Sequence, residues 1–381
     1  MLYAASSGDG AMRVAFVTNF APHYRRPLFD ELAKRWDVDF IFFSDDREWY
    51  RSREMRHQIG NFQTVELARR SAHGSVYLSD LPRTVARGRY DVMVKCLSGK
   101  LMTPLAYWSA RRWSLPIVLW SGMWDHPATV THRATRPLVR ALHRQADAIV
   151  AYGSHVKWYL VRESGVDARK IFVSGQAVDA TRFAPGGVDR VPSQTILYVG
   201  QFEDRKGLRT LVAAFRSLCH RGAHLRFVGS GSLAGWLLEQ SQADVRIEVG
   251  GYCSQEELAD EYRRALCVVL PSERTVAGRE PWGLVVNEAM HSGRAVVVTH
   301  SVGAAAAGLV VDGRNGFVVP ERDPGGLGGA LRQLLECPRL ALTFGAQGQR
   351  DVERFTYCRM ADAFDAACAF ALHSRAKSVR V

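Results

Sequence analysis

No run of about 18–20 uncharged apolar residues, the length a membrane helix needs, occurs in the 381-residue sequence. The nearest approach, residues 101–120, is interrupted by Arg111 and Arg112. The first ten residues lack the basic start and long apolar centre of a secretion signal, so a ragged extension before Met12 is expected. Closely spaced cysteines are missing too. Cys96, Cys219, Cys253, Cys267, Cys337, Cys358 and Cys368 form no C-x-x-C pair and have no histidine companions at zinc-finger spacing, so they read as reduced thiols and the expected location is cytoplasmic.

Acidic residues are the scarcer charge, 38 against 50 Lys and Arg, for a net charge of +12. The imbalance is concentrated: residues 1–185 hold 27 basic and 17 acidic residues, residues 186–381 hold 23 and 21. A basic first half suits nucleic acid, an anionic membrane surface or an anionic substrate, and charge alone does not separate these. With 47% hydrophobic residues the chain is apolar enough to bury a core, and its length favours two domains at roughly 100–200 residues each.

Short apolar runs rich in β-branched residues recur between helical patterns, as a parallel sheet covered on both faces requires. In the first half these are residues 12–19, 38–43, 92–96, 117–120, 148–151 and 171–174. Residues 175–192 then break into Gly, Pro, Asp and Arg, which marks a linker. Alternation restarts with predicted strands at 195–200, 225–229, 245–249, 267–270, 295–299 and 316–319, and helices at 208–219, 256–264, 285–291 and about 327–335. The pattern predicts an α/β fold of two Rossmann-like lobes. Ligands of such sheets bind beyond the carboxyl ends of the strands, so the reaction site is expected in a cleft between the lobes.

The strongest chemical signal is Glu280-Pro-Trp-Gly-Leu-Val-Val-Asn-Glu288, followed by Ala-Met-His-Ser-Gly293. A glycine at 283 lets a ligand approach the backbone, and the amides of Gly283, Leu284 and Val285 at a helix start favour a diphosphate. Glu288, acceptor-only when ionised, suits a pair of vicinal ribose hydroxyls. A capped helix with acidic residues near its start is the structural alternative.

The segment resembles the donor-site motif of glycosyltransferase family 4, E-x-[FW]-G-x-x-x-x-E-A-[ML]. Other blocks of that family recur in order: Leu197-Tyr-Val-Gly200 before Arg205-Lys206-Gly207, Leu225 to Gly231, Gly250-Gly-Tyr252, Val269 to Ser272, and Asp312 to Val318. The likeness is dense in the second half and only in outline in the first. It implies a GT-B fold: an acceptor-side lobe over 1–175, a linker over 176–192, a nucleotide-sugar lobe over 193–355, and a C-terminal helix within 356–381 that crosses back. It further implies a retaining, metal-independent transfer from a nucleoside-diphosphate sugar to an acceptor hydroxyl. No cofactor is expected beyond that co-substrate, whose base (UDP, GDP or TDP) stays open. The acceptor is a saccharide, a lipid-linked saccharide or a small molecule.

On this resemblance Lys206 and Arg205 meet the diphosphate, Glu280 orients the sugar hydroxyls, and Gly200, Gln201, Gly251 and Tyr252 belong to the donor site. Gln201 departs from the arginine the family commonly places there, so one phosphate contact is absent or falls to Arg205. The first lobe lacks the family's Gly-Gly turn and has Asn19 to Pro27 instead, which makes Tyr24 and Arg25 acceptor-side candidates, with a plain surface loop as the alternative. Asp125 and His126, after the strand ending at Trp120, are candidates for handling the acceptor proton, or for no more than a turn before Pro127. The Asp37-x-Asp39 spelling of a metal site runs into a strand, and the metal reading is declined. Residues 47–56 interleave aromatic and basic side chains and suit a peripheral position on an anionic membrane surface; no nucleic-acid partner is expected. Two alternatives remain, a nucleotide-sugar 2-epimerase on the same fold and a basic nucleic-acid-binding protein.

Overall fold

The computed structural model describes residues 11–43, 63–65, 67–72, 75–184, 193–251 and 253–378. The first half contributes β1 (Arg13–Thr18), α1 (Arg26–Arg35), β2 (Asp37–Phe42), β3 (Thr64–Val65), a hairpin of β4 (Arg69–Ala72) and β5 (Ser75–Leu78), α2 (Leu81–Gly88) and β6 (Val92–Cys96). It continues with α3 (Met102–Arg112), β7 (Ile117–Ser121), α4 (Val130–Gln145), β8 (Ala148–Ala151), α5 (Ser154–Ser164) and β9 (Ile171–Val173). The second half holds β10 (Thr195–Val199), α6 (Leu208–Arg216), β11 (His224–Val228), α7 (Ala234–Ala243), β12 (Ile247–Gly250), α8 (Gln255–Arg264) and β13 (Cys267–Leu270). It ends with α9 (Leu284–His291), β14 (Ala295–Thr299), α10 (Gly303–Ala306), β15 (Gly316–Val319), α11 (Pro324–Glu336), α12 (Pro338–Val352) and α13 (Tyr357–Ser378).

Seven strands pair in the order β3-β2-β1-β6-β7-β8-β9 and six in the order β12-β11-β10-β13-β14-β15. Every pairing in both sheets is parallel. Parallel strands are covered on both faces, which is why β6, β7, β8, β13 and β14 are buried along their whole length. Strand order reverses beside β1 in the first sheet and beside β10 in the second, so each lobe has its switch-point crevice at the carboxyl ends of β1 and β6, or of β10 and β13. These two crevices face each other.

The chain crosses between the two cores at adjacent residues: Ala177 is buried in the first and Val178 in the second. Helix α13 then returns to the first lobe, where Phe364 is fully buried against Phe16, Trp36 and Trp120. Arg35 of α1 holds the helix from outside, pairing with Asp362 at 2.8 Å and Asp365 at 2.6 Å. Asp37 and Asp39, the declined metal spelling, both pair with Arg13, and Tyr90 donates to Asp39 at 2.6 Å.

Two predicted boundaries shift for local reasons. The strand expected from 245 begins at Ile247, because Asp244 takes the backbone N–H of Arg246 at 3.1 Å and its guanidinium at 2.8 Å, leaving Val245 exposed in the turn. The helix expected to reach 219 ends at Arg216, where Ser217 caps it. Tyr252, the aromatic and basic segment 47–56 and linker residues 185–192 lie outside the described residues. Among the described residues no helix is long and apolar enough to cross a membrane.

Candidate functional site

The facing crevices enclose a cleft of about 490 Å³. Tyr24 and Arg25 reach it from the loop after β1, and Asp125 from the loop after β7. Gly200 and Lys206 come from the loop after β10, and Glu280, Gly283, Leu284 and Val285 from the segment that opens α9. Nine of the residues singled out in the sequence thus share one cavity.

Helix α9 starts abruptly on Gly283, whose φ of 90° is left-handed. A Cβ there would stand 2.5 Å from Leu270 Cδ2 and 3.1 Å from Val302 Cγ1. Only glycine therefore allows the chain to turn into a helix this close to β13. The first-turn amides of Leu284 and Val285, which no carbonyl four residues back can satisfy, lie on the cleft wall.

Opposite the turn stands a charge cluster. A short 3-10 turn, Asp204–Lys206, ends on Gly207 and buries Lys206, whose ammonium pairs with the Glu280 carboxylate. Arg205 lies 3.6 Å from the same oxygen and Ser272 Oγ donates to it at 3.3 Å. Burial works against the charge on Glu280, yet the two cations outweigh it and hold the carboxyl below its ordinary range. Arg205 also binds Gln201 and, at 2.7 Å, Glu203. Gln201 therefore serves as an acceptor that anchors Arg205.

On the first lobe, Arg25 lies over the Trp120 ring at 4.2 Å and donates to the Tyr152 hydroxyl. Its Nε is buried without a hydrogen-bond partner, and the groups whose charge acts on its guanidinium are Tyr152, Tyr24 and Cys96. Arg25 is thus half-buried on the cleft wall.

Of the other candidates, Arg205, Gln201, His126, Gly251 and Glu288 do not line this cleft. Asp125 and His126 diverge: Asp125 binds Arg274 of the other lobe at 2.6 and 2.9 Å, whereas His126 Nε2 donates to the His132 carbonyl at 2.8 Å. They do not work as an orienting pair. Gly251 follows the edge strand β12, away from the cleft wall. Glu288, one turn along α9, accepts from the Tyr262 hydroxyl at 2.5 Å. Burial pushes its carboxyl up to about 7, against the opposing pull of that hydrogen bond. The folded protein thus holds a proton between about pH 4.5 and 7 that the unfolded chain has released, so this group's contribution to stability falls as pH rises through that window. Glu288→Gln is expected to flatten the dependence of Tm on pH over this range and to add about 1–2 kcal/mol at pH 8, measured by thermal unfolding across pH.

Several residues that shape the cleft gave no motif signal. The Trp124 indole N–H donates to the Glu280 carbonyl at 3.0 Å, and His155 Nε2 to the Pro281 carbonyl at 3.1 Å, so the first lobe grips the Glu280 segment by its backbone. Burial lowers His155 to about 4, leaving it neutral near pH 7. Asn287 accepts from the Trp282 indole at 2.7 Å and donates to the linker carbonyl of Gln176 at 2.8 Å. Burial of a polar side chain at fixed distance from Glu280 was the available signal, and it needs the fold to be seen.

Residues 193–337 match the family model described as Glycosyl transferases group 1, and residues 22–175 match the Glycosyl transferase 4-like domain. Glycogen synthase of Mycobacterium tuberculosis is 30% identical over 207 residues, 52% of this chain and 48% of that protein. The chain thus covers about half the length of this relative. D-inositol 3-phosphate glycosyltransferase of Frankia alni is 28% identical over 77% of this chain and 79% of its own length. Sucrose-phosphate synthase from Thermosynechococcus elongatus superposes with a TM-score of 0.73 at 21% identity, covering 93% of this chain and 97% of that one. Anabaena HepE in complex with UDP superposes with a TM-score of 0.73 at 16% identity, covering 93% and 98%. By its fold and by the matches of both lobes, the chain belongs with the glycosyltransferases of the GT-B type.

Proposed function

We propose that the chain moves a sugar from a nucleoside-diphosphate donor, held chiefly by the second lobe, to an acceptor hydroxyl presented by the first, with retention at the anomeric carbon and without a metal. The observation that carries this reading is the meeting of Lys206 and the first turn of α9 around one cavity at the second lobe's switch point, with Arg205 behind them, 3.6 Å from the Glu280 carboxylate. The bond to the anomeric carbon breaks as negative charge grows on the departing diphosphate. Fixed cations and helix amides in a site screened from water stabilise that charge without reorganising. Glu280, kept ionised by Lys206, accepts from sugar hydroxyls and fixes the ring, and the departing phosphate takes the acceptor proton. Glu288, half-buried one turn along α9, would meet the ribose. Arg25 supplies a further cation from the acceptor side. That HepE has been captured with UDP and with UDP-glucose supports a nucleoside-diphosphate sugar as donor.

A thermal-shift screen with UDP-, GDP- and TDP-sugars tests the reading. One nucleotide series is expected to raise Tm, since a ligand at 100 times its dissociation constant adds about 2.7 kcal/mol. No shift with any nucleotide sugar at millimolar concentration would reject it.

A further inference from the structure

A second cavity, of about 840 Å³, adjoins the cleft. Trp124, Asp125, Pro127 and Arg279 line both, so a molecule seated in the second cavity has the donor cleft on the other side of a single shared wall. Its size suits a small ligand of one or two rings.

The wall of this cavity is electrically lopsided. Arg133, Arg136, Arg274 and Arg279 line it, against only Asp125 and Glu163. Both carboxylates are already engaged: Asp125 by the bidentate fork of Arg274, and Glu163 by Arg136 at 3.2 Å and Arg140 at 3.4 Å. The Nε atoms of Arg136 and Arg279 are buried and have no hydrogen-bond partner, Arg279 Nε standing 3.9 Å from Asp125, while Arg133 is exposed and makes no ion pair among the described residues. Guanidinium donors withdrawn from water without acceptors are unfavourable unless a ligand supplies the acceptors. Helix α4 contributes to the excess, because residues 130–145 contain no acidic residue and Arg133, Arg136, Arg140 and Arg144 recur every three or four positions along one face. Trp158, 59% exposed, adds a flat apolar surface to the same wall.

We propose that this cavity is the acceptor subsite, and that the acceptor is a sugar or polyol bearing an anionic group, phosphate or carboxylate, which Arg133 and Arg136 hold while its ring lies against Trp158. The proposal rests on the transfer reading above and adds the acceptor's class to it. A guanidinium fork matches either oxyanion, so the two groups are distinguished by experiment. Arg279, lying over the Trp124 ring at 4.9 Å, stands where the acceptor hydroxyl would pass from one cavity to the other.

The test is isothermal titration of the full chain, first with the nucleotide identified by thermal shift and then, in its presence, with glucose 6-phosphate, glucuronate and glucose. Binding of one or both charged sugars at least about 10-fold tighter than glucose is expected, since one hydrogen bond to a charged group gives a difference of that size. A preference for glucose 6-phosphate alone assigns a phosphate, and equal preference assigns any oxyanion. In Arg133→Gln/Arg136→Gln the preference is expected to vanish, while nucleotide affinity stays within about 2-fold, which also shows that the variant is folded. Equal binding of all three sugars, or a preference that survives in the double variant, overturns the proposal and leaves the donor reading standing. Failure of any nucleotide to bind overturns both.

Discussion

Lys206→Ala is expected to lower kcat/KM for sugar transfer by about 10²–10³-fold, the usual result of removing one preorganised group from a developing charge. The lysine is nearly buried at the end of a 3-10 turn, with its ammonium already beside the wall that carries the first turn of α9. Its loss does two things at once. The departing diphosphate loses its nearest cation, and Glu280 loses the stronger of the two partners that keep it ionised, with Arg205 left at 3.6 Å. The acid limb of the pH profile is therefore expected to move upward, because a buried carboxyl with less cationic support protonates at higher pH. Circular dichroism should show an unchanged fold. Full activity with an unmoved acid limb would show that Lys206 takes no part in the reaction.

The second large effect is expected at Gly283. Gly283→Val puts a β-branched residue at φ 90° and drives its Cβ toward Leu270 and Val302. The left-handed backbone costs about 1–2 kcal/mol and the overpacking about 1–3 kcal/mol, so unfolding should become easier by about 2–5 kcal/mol. Donor affinity should fall at least about 10-fold as well, since relief of the clash displaces the amides of Leu284 and Val285. Gly313 provides the comparison: its φ of 70° is similar, but a Cβ there meets nothing within 4 Å. Gly313→Val should cost only the backbone strain and leave the donor affinity unchanged. Equal losses of affinity in the two variants, measured by titration, would mean that the start of α9 does not touch the donor.

Sequence alone made the inner parallel strands legible because they are covered on both faces and largely apolar, and runs such as Cys267–Leu270 and Ala295–Thr299 match their predicted limits. Strands β3 to β5 were not legible: Thr64–Val65 is two residues long and Arg69–Ala72 carries two arginines, so neither has an apolar period. The second-lobe wall of the cleft stood out for a different reason. Glu280, Gly283 and Lys206 fall in compact motifs, so sequence neighbours are also neighbours in space. The first-lobe wall has no such economy. Arg25, Trp124 and Tyr152 come from three separate loops, and their meeting depends on where β1, β7 and β8 end. The same holds for the arginine-lined cavity, where α4 and the segment containing Arg274 and Arg279 come together only when the two lobes face each other. Asp125 shows the opposite failure: next to a histidine in sequence, it is committed to Arg274 across the cleft.

The most direct measurement is a crystal structure of the chain with its nucleotide sugar bound. The account predicts diphosphate oxygens about 3 Å from the Leu284 or Val285 amide nitrogen and from Lys206 Nζ, with the sugar hydroxyls on Glu280. A diphosphate seated away from the first turn of α9, with Lys206 still paired only to Glu280, would contradict it.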